Sequence, residues 1–136
     1  MSKTIIGALG VVEKDGKVLL SLRNDPTHPD LHNRWEFPGG GVEWDEYPQE
    51  ALIREMLEET KIKIKIVSLI PHVLVRFFGK ANKVKVVFLP YLCKYISGTA
   101  KSSDPEVAQV QWADKKDLKK LRLSPLSKQL IDLVKI

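Results

Sequence analysis

Three glutamates near the middle of the chain share one side of a predicted helix. Glu55, Glu58 and Glu59 stand at spacings i, i+3 and i+4, which are neighbouring positions on a helix surface. Each like-charged pair costs about 0.2 to 0.5 kcal/mol on an isolated helix, so the group favours a cation that neutralises it. Carboxylate oxygens select hard divalent ions, and Mg²⁺, or Mn²⁺ in its place, is therefore expected.

Arg54 is the only basic residue between positions 46 and 60. It follows Glu50 by four residues and precedes Glu58 by four, so it is placed to orient Glu58 rather than to neutralise the whole group. The alternative reading is a solvated helix face. Such faces usually interleave Lys with Glu, which favours the metal-binding interpretation here.

Glycines and a specific spacing surround these acids. The triplet Gly39–Gly41 permits a backbone turn and close approach of a ligand, although a plain turn is the alternative. From Gly40 onward the chain resembles the signature of the Nudix hydrolases, GX5EX7REUXEEXGU, at eight of its nine specified positions. The matching residues are Gly40, Glu46, Arg54, Glu55, Met56, Glu58, Glu59 and Ile62. The preceding WEFPGG is similar to the entry of this motif in the MutT-type branch.

The resemblance implies an α/β fold, with a mixed β-sheet in an α/β/α sandwich and a central catalytic helix. It implies Mg²⁺-dependent hydrolysis of a nucleoside diphosphate linked to another group. The first candidate substrate is a nucleoside triphosphate or an oxidised nucleotide, cleaved to nucleoside monophosphate and pyrophosphate. RNA 5′ ends, ADP-ribose and dinucleoside polyphosphates are alternatives. A non-catalytic nucleotide-binding module is a further alternative, but such a module is expected to lose acids of the signature, and all are present.

The resemblance also implies roles for individual residues. Metal binding falls to the carboxylates of Glu55, Glu58 and Glu59 and to the carbonyl of Gly39. Arg54 and Glu46 orient the site, while Glu55 is the first choice for the general base and Glu58 the second. Glu106, six residues before Trp112, resembles an extra metal-binding carboxylate of a later loop, and an exposed loop acid is the alternative.

Substrate contacts are expected from residues on both sides of the signature. Arg23 resembles a phosphate-binding arginine of the MutT-type branch, Glu36 is placed to contact a base or ribose, and Gly40 lets the substrate approach the main chain. Ordinary charges at strand ends are the alternative for Arg23 and Glu36. The aromatic candidates for stacking on a base are Trp35, Phe77, Phe78 and Tyr91, although aromatic residues in strands are more often core.

Two residues depart from the expected pattern around the helix. Lys61 stands where the signature has glycine, the residue that usually ends a helix in left-handed geometry. Because lysine in that geometry costs about 1 to 2 kcal/mol, the helix is expected to end differently. Tyr47 stands where Ser or Thr often caps the helix before Pro48, and Glu50 is expected to serve the helix start instead.

Hydrophobic periodicity predicts the elements that position these residues. Thr4–Val12 and Lys17–Arg23 form a hairpin around KDG. The acidic helix begins at Pro48 and packs through Leu52, Ile53, Met56 and Leu57. Two strands, KIKIVSLIPHVLVRFF and KVKVVFLPYLCKYI, follow around GKAN, and Pro90 predicts a bulge or a sheet edge. VAQVQWA is another strand, and an amphipathic helix over Pro125–Val134 closes the chain with Leu126, Leu130, Ile131 and Val134 inward.

Composition limits the remaining choices. The chain has 136 residues and one cysteine, Cys93, so we expect one domain over residues 1–136, a cytoplasmic monomer or homodimer, and no membrane span. Cys93 and His72 are expected to be buried strand residues. The formal net charge of +5 favours anionic ligands. RNA is an alternative partner for the lysine clusters at 61–65, 80–85 and 115–120, and a solvated basic surface is the favoured interpretation.

Overall fold

The computed structural model describes residues 1–135. The strands are β1 (Lys3–Lys14), β2 (Lys17–Arg23), β3 (Trp35–Glu36), β4 (Gly39–Gly41), β5 (Lys63–Leu69), β6 (Leu74–Phe78), β7 (Val84–Ser97) and β8 (Val107–Asp114). The α-helices are α1 (Pro48–Thr60) and α2 (Pro125–Val134). In this part of the chain, no helix combines the length and the apolar character that a membrane span requires.

All eight strands belong to one mixed sheet. β1 pairs in parallel with β7 and antiparallel with β2 and β4. β3 and β8 pair with β2, while β5 and β6 pair with successive parts of β7. The predicted β1–β2 hairpin turns at Asp15 and Gly16, whose φ angles of 50° and 76° match the left-handed pair that a tight hairpin favours.

The two helices cover opposite faces of the sheet. Side chains alternate between faces along a strand, and on β1 Leu9 and Val11 enter one core cluster while Ala8 and Val12 enter the other. The first cluster is completed from α2 by Leu130 and Ile131, and the second from α1 by Leu52 and Met56. This arrangement is the predicted α/β/α sandwich with a mixed sheet.

Helix α1 begins where the sequence predicts. Pro48 occupies the first turn, where its missing N–H removes no helical hydrogen bond. Glu50 Oε1 accepts a hydrogen bond from the backbone N–H of Tyr47 at 2.9 Å. The glutamate thus serves the helix start, as expected, while the Tyr47 side chain is exposed.

The end of α1 contradicts the expectation for Lys61. Lys61 keeps the left-handed geometry with φ of 63° and ψ of 17°, and its N–H donates to the carbonyl of Leu57 at 3.1 Å. The Lys61 carbonyl lies so close to the Cα of Gly98 that a Cβ there would collide with it, and the N–H of Lys101 donates to the carbonyl of Thr60 at 3.1 Å. These contacts hold the helix end in place although the residue is not glycine.

The predicted apolar stripe of α1 is wrong at two of its four positions. Leu52 and Met56 are buried, but Ile53 is 38% exposed and Leu57 49% exposed. The buried residues of α1 are instead Ala51, Leu52, Met56 and Thr60, because α1 packs against β4 as well as against β1 and β5.

The predicted strand after α1 is interrupted. β5 ends at Leu69 and β6 begins at Leu74, and the exposed His72 lies between them, so its predicted burial in a strand is wrong. Pro90 is neither a bulge nor an edge residue. Pro90 lies in the middle of β7, opposite Leu9 of β1. On the other side of β7, the pairing with β6 ends and the pairing with β5 begins at this point. No antiparallel partner there requires the N–H that proline lacks.

Replacing Lys61 with glycine is expected to stabilise the protein. Glycine adopts left-handed geometry without a Cβ clash, so Lys61→Gly should raise stability by about 1 kcal/mol, or the melting temperature by about 3 °C. Thermal unfolding measures the shift. Lys61→Ala is the matched control, because it removes the charge and keeps the strain. Equal melting temperatures for the Gly and Ala variants would contradict the interpretation.

Candidate active site

The carboxylate of Glu55 lies against the glycine strand. A Cβ placed on Gly40 would stand 2.5 Å from Cδ of Glu55 and within 2.9 Å of both carboxylate oxygens. Gly40 pairs with Ala8 of β1, so the sheet fixes the position of this glycine. The absence of a side chain at Gly40 therefore makes the space that the carboxylate occupies.

Arg54 organises the acids around it. Its Nε and Nη2 each donate to Glu46 at 2.8 Å, and its Nη1 donates to Glu55 at 3.1 Å and to Glu58 at 3.3 Å. Hydrogen bonds from Arg54, with help from a main-chain N–H, lower the pKa of Glu46 to about 2. The predicted contact between Arg54 and Glu58 is present, and Glu46 and Glu55 share the same guanidinium.

The carboxyl group of Glu59 has a strongly raised pKa. Burial raises its pKa to about 8, helped by the negative charges of Glu55 and Asp104, while a hydrogen bond from the main chain of Gly39 opposes the shift. Burial also raises the pKa of Glu55, while hydrogen bonds from Arg54 oppose that shift. The two neighbouring carboxyl groups therefore both hold a proton more strongly than an exposed glutamate does.

Glu58 does not join this pair. Its side chain is 59% exposed and its ion pair is with Arg54. Within residues 1–135, the structure shows no group of three or more acidic, histidine or cysteine side chains arranged to hold an ion together. Of the three predicted metal-binding carboxylates, the fold therefore brings two together and leaves the third facing solvent.

A loop between β7 and β8 carries further acids to the site. The hydroxyl of Ser103 donates to the backbone carbonyl of Glu58, which fixes the loop on α1. Glu106 lines the cleft, as does Asp104, which also acts on the pKa of Glu59. Sequence reasoning selected Glu106 and missed Asp104. The only available signal was its position two residues earlier in the same loop.

A cleft of about 390 Å³ extends from these acids across the glycine strand. Glu59, Asp104 and Glu106 line its acidic end, and Phe78 and Phe88 line an apolar wall. Phe78 was among the predicted stacking residues. Phe88 was missed, because the apolar run of β7 contains no sign of which side chains face a cavity.

The other three aromatic residues that were predicted to stack on a base do not line the cleft. Tyr91 is buried in the core beneath α1 and Trp35 packs against the opposite core, while Phe77 is exposed and does not line the cleft. Cys93 is buried, and burial raises the pKa of its thiol to about 12. This fits the predicted structural role of Cys93.

Arg23 and Glu36 both line the cleft, but they bind each other. Arg23 Nε donates to Glu36 Oε1 at 2.8 Å and Nη2 donates to Oε2 at 3.1 Å, and Nη1 donates to Asp25 at 3.4 Å. The guanidinium is thus compensated by two carboxylates. The sequence predicted independent substrate contacts for Arg23 and Glu36, and the structure shows a coupled polar wall.

Comparison with known proteins places this architecture in a family. The model of the NUDIX domain matches residues 1–134. The chain belongs to the NUDIX family. A crystal structure of a MutT NUDIX hydrolase from Burkholderia pseudomallei aligns with a TM-score of 0.82 at 26% identity, covering 98% of this chain and 99% of that one. The predicted family and Nudix fold are confirmed.

Two curated relatives are similar over shorter spans. The CTP pyrophosphohydrolase of Escherichia coli K12 is 42% identical over 64 residues, which cover 47% of this chain and 46% of that protein. The ADP-ribose pyrophosphatase of Methanocaldococcus jannaschii is 31% identical over 113 residues, or 82% of this chain and 63% of that protein. The chain thus spans less than two thirds of the length of either relative.

The donor set of this Nudix site fits a hard divalent ion. All the side-chain donors are carboxylate oxygens, the ligands that Mg²⁺ and Mn²⁺ prefer, and the Glu55 carboxylate lies against Gly40, which itself lines the cleft. An ion would be held by Glu55 and Glu59 in their ionised forms. Glu58, Glu106 and the Gly39 carbonyl remain predicted ligands, since no contact in the structure tests them.

The raised pKa of Glu59 predicts how stability depends on pH. Between its ordinary value of 4.5 and about 8, the native chain holds a proton that the unfolded chain has lost. The free energy of unfolding therefore falls as pH rises, by up to about 1.4 kcal/mol per pH unit. Glu59→Gln should remove this slope, because the glutamine amide does not ionise.

Thermal unfolding in EDTA from pH 5 to pH 8 tests this expectation. The wild type and Glu59→Gln should be similar at pH 5, with the variant more stable at pH 8. The matched control is Glu58→Gln, whose side chain is exposed and which should follow the wild type. Parallel curves for the wild type and Glu59→Gln would show that Glu59 is ionised throughout.

Proposed function

We propose that this member of the NUDIX family cleaves a nucleoside diphosphate linked to another group in a Mg²⁺-dependent reaction, with nucleoside triphosphates, ordinary or oxidised, as the first candidates. The observation that carries the proposal is one cleft with two chemically different ends. The carboxylates of Glu59, Asp104 and Glu106 lie at one end and the apolar wall of Phe78 and Phe88 at the other. A divalent ion at the carboxylates would bind the phosphates, and the apolar wall suits a nucleobase.

The proposed reaction is attack of water on a phosphorus atom of the pyrophosphate. A bound divalent ion would offset the negative charge of the phosphates and lower the pKa of the attacking water. The bridging P–O bond breaks, and a triphosphate yields nucleoside monophosphate and pyrophosphate. The proton of the water passes to a carboxylate.

Glu55 is our choice for this proton acceptor. Burial raises its pKa, which makes a carboxylate a stronger base near neutral pH. Arg54 holds the Glu55 carboxylate at 3.1 Å and fixes it against Gly40. Glu58 is the second choice, because its exposed side chain must turn from solvent toward the cleft before it can accept a proton.

The names of the relatives support hydrolysis of a pyrophosphate bond. They differ in the group that is attached to the nucleoside diphosphate. One similar protein is named for CTP and another for ADP-ribose. Both names describe hydrolysis at a pyrophosphate linked to a nucleoside. The positive charge of Arg23 is offset by Glu36 and Asp25. This part of the cleft therefore suits a neutral, hydrogen-bonding part of the substrate rather than a phosphate.

A substrate panel tests the proposed function. Release of phosphate or pyrophosphate is measured with and without Mg²⁺ from ordinary and oxidised nucleoside triphosphates, ADP-ribose, dinucleoside polyphosphates and 5′-triphosphate RNA. Turnover of at least one triphosphate is expected with Mg²⁺ and none in EDTA. Absence of turnover for every substrate would favour a binding module instead.

Removal of the proposed base is expected to slow turnover strongly. Glu55→Gln should lower kcat about 10²- to 10⁴-fold, the usual contribution of a positioned general base. Glu13→Gln is the matched control, because Glu13 pairs with Lys115 away from the cleft and its loss should leave kcat unchanged. A Glu55→Gln variant within tenfold of the wild type would move the base to another residue.

A further inference from the structure

The cleft borders a second cavity of about 300 Å³ at its far end. Leu31, Arg76 and Phe78 line both spaces. The side chains of these three residues therefore form the boundary between the cleft and the second cavity.

The sheet fixes where the second cavity lies relative to the acids. The strands β4, β1, β7 and β6 are successive neighbours, and Gly41, Gly7, Phe88 and Leu74 are aligned across them. Three interstrand steps span about 14 Å. Arg76 and Phe78 follow Leu74 on β6, so they lie one strand beyond Phe88, on the strand of this series farthest from the glycine strand.

The proposed function places the 5′ phosphates of the nucleotide at the carboxylates and its nucleoside along Phe88 and Phe78. In that orientation the sugar and base extend toward the second cavity. A group attached to the 3′ side of the sugar would then extend to the boundary at Arg76.

The second cavity has the chemistry of an anion site. Arg76, Lys80 and His28 line it together with a single acid, Asp30. Arg76 Nη2 lies 3.3 Å from Asp30 Oδ2, and the Arg76 side chain is 17% exposed while that of Asp30 is 75% exposed. Asp30 is therefore free to move into solvent when another anion reaches the better buried guanidinium.

Lys80 adds a cation that has no internal counter-charge. Among residues 1–135, it takes part in none of the ion pairs that the structure shows. Its position in the short turn between β6 and β7 places it at the rim of the cavity. A phosphate there would accept hydrogen bonds from the guanidinium of Arg76 and the ammonium of Lys80.

We propose that the second cavity binds a phosphate attached to the 3′ side of the substrate's nucleoside. The preferred substrate then carries phosphate on both sides of its first nucleoside. This assignment rests on the proposed function, because the carboxylates set the direction of the nucleotide. Such a phosphate occurs in two sources, the first internucleotide linkage of an RNA 5′ end and the 3′-phosphate of a modified mononucleotide.

Equilibrium binding tests the assignment without turnover. Calorimetry with Mg²⁺ compares three ligands of the same base, a nucleoside 5′-monophosphate, a nucleoside 3′,5′-bisphosphate and a 5′-phosphorylated dinucleotide, in adenosine and cytidine series. The wild type should bind the bisphosphate about tenfold more tightly than the monophosphate, the gain of one charge-assisted contact. Lys80→Ala should lose this gain and bind the monophosphate as the wild type does.

Lys83→Ala is the matched control, because Lys83 ends the same turn and does not line the cavity. This variant should keep the gain. A gain shared by the dinucleotide supports an RNA end, and a gain confined to the bisphosphate supports a 3′-phosphorylated mononucleotide. Equal affinity for all three ligands, or a gain that survives in Lys80→Ala, overturns the assignment.

The two proposals fail separately. Hydrolysis in the substrate panel without a 3′-phosphate gain counts against the second cavity alone. A gain that depends on Lys80, in a protein that hydrolyses no nucleotide, counts against the proposed reaction alone.

Discussion

The close contact between Glu55 and Gly40 is the constraint on which the candidate site depends. The carboxylate occupies the volume that any side chain on Gly40 would fill. Gly40 is itself fixed by pairing with Ala8 in the middle of the sheet. The sheet, the helix and the acidic group are thus positioned by one contact, and the buried face of α1 is rotated so that Glu55 and Glu59 face β4 rather than solvent.

Charge repulsion among these acids is offset in two ways. Arg54 compensates Glu46 and also contacts Glu55 and Glu58. Partial burial raises the pKa of Glu59 to about 8, so this carboxyl group is mostly protonated at neutral pH and adds little charge. A divalent ion bound here would take the place of that proton and offset the charge of the ionised carboxylate.

The left-handed lysine at the end of α1 connects the helix to the loop that carries the remaining acids. Gly98 lies against the Lys61 carbonyl, and the following residues bond to the Thr60 and Glu58 carbonyls. The same contacts that stabilise a strained helix end therefore place Asp104 and Glu106 at the cleft. Lysine in place of glycine strains one residue at this junction.

The sequence by itself determined the elements whose signals are local. Both helices begin at the prolines that predict their first turns, and α2 also ends where its periodicity predicts. The spacing of acids and glycines identified the family, because helix geometry turns spacing into proximity. The tertiary structure alone decided which side chains from different strands, helices and loops come into contact. The Arg23–Glu36 pair, the position of Asp104 and the cavity face of Phe88 depend on strand order and loop docking. Contacts of this kind join residues far apart in the chain, and no local pattern in the sequence records them.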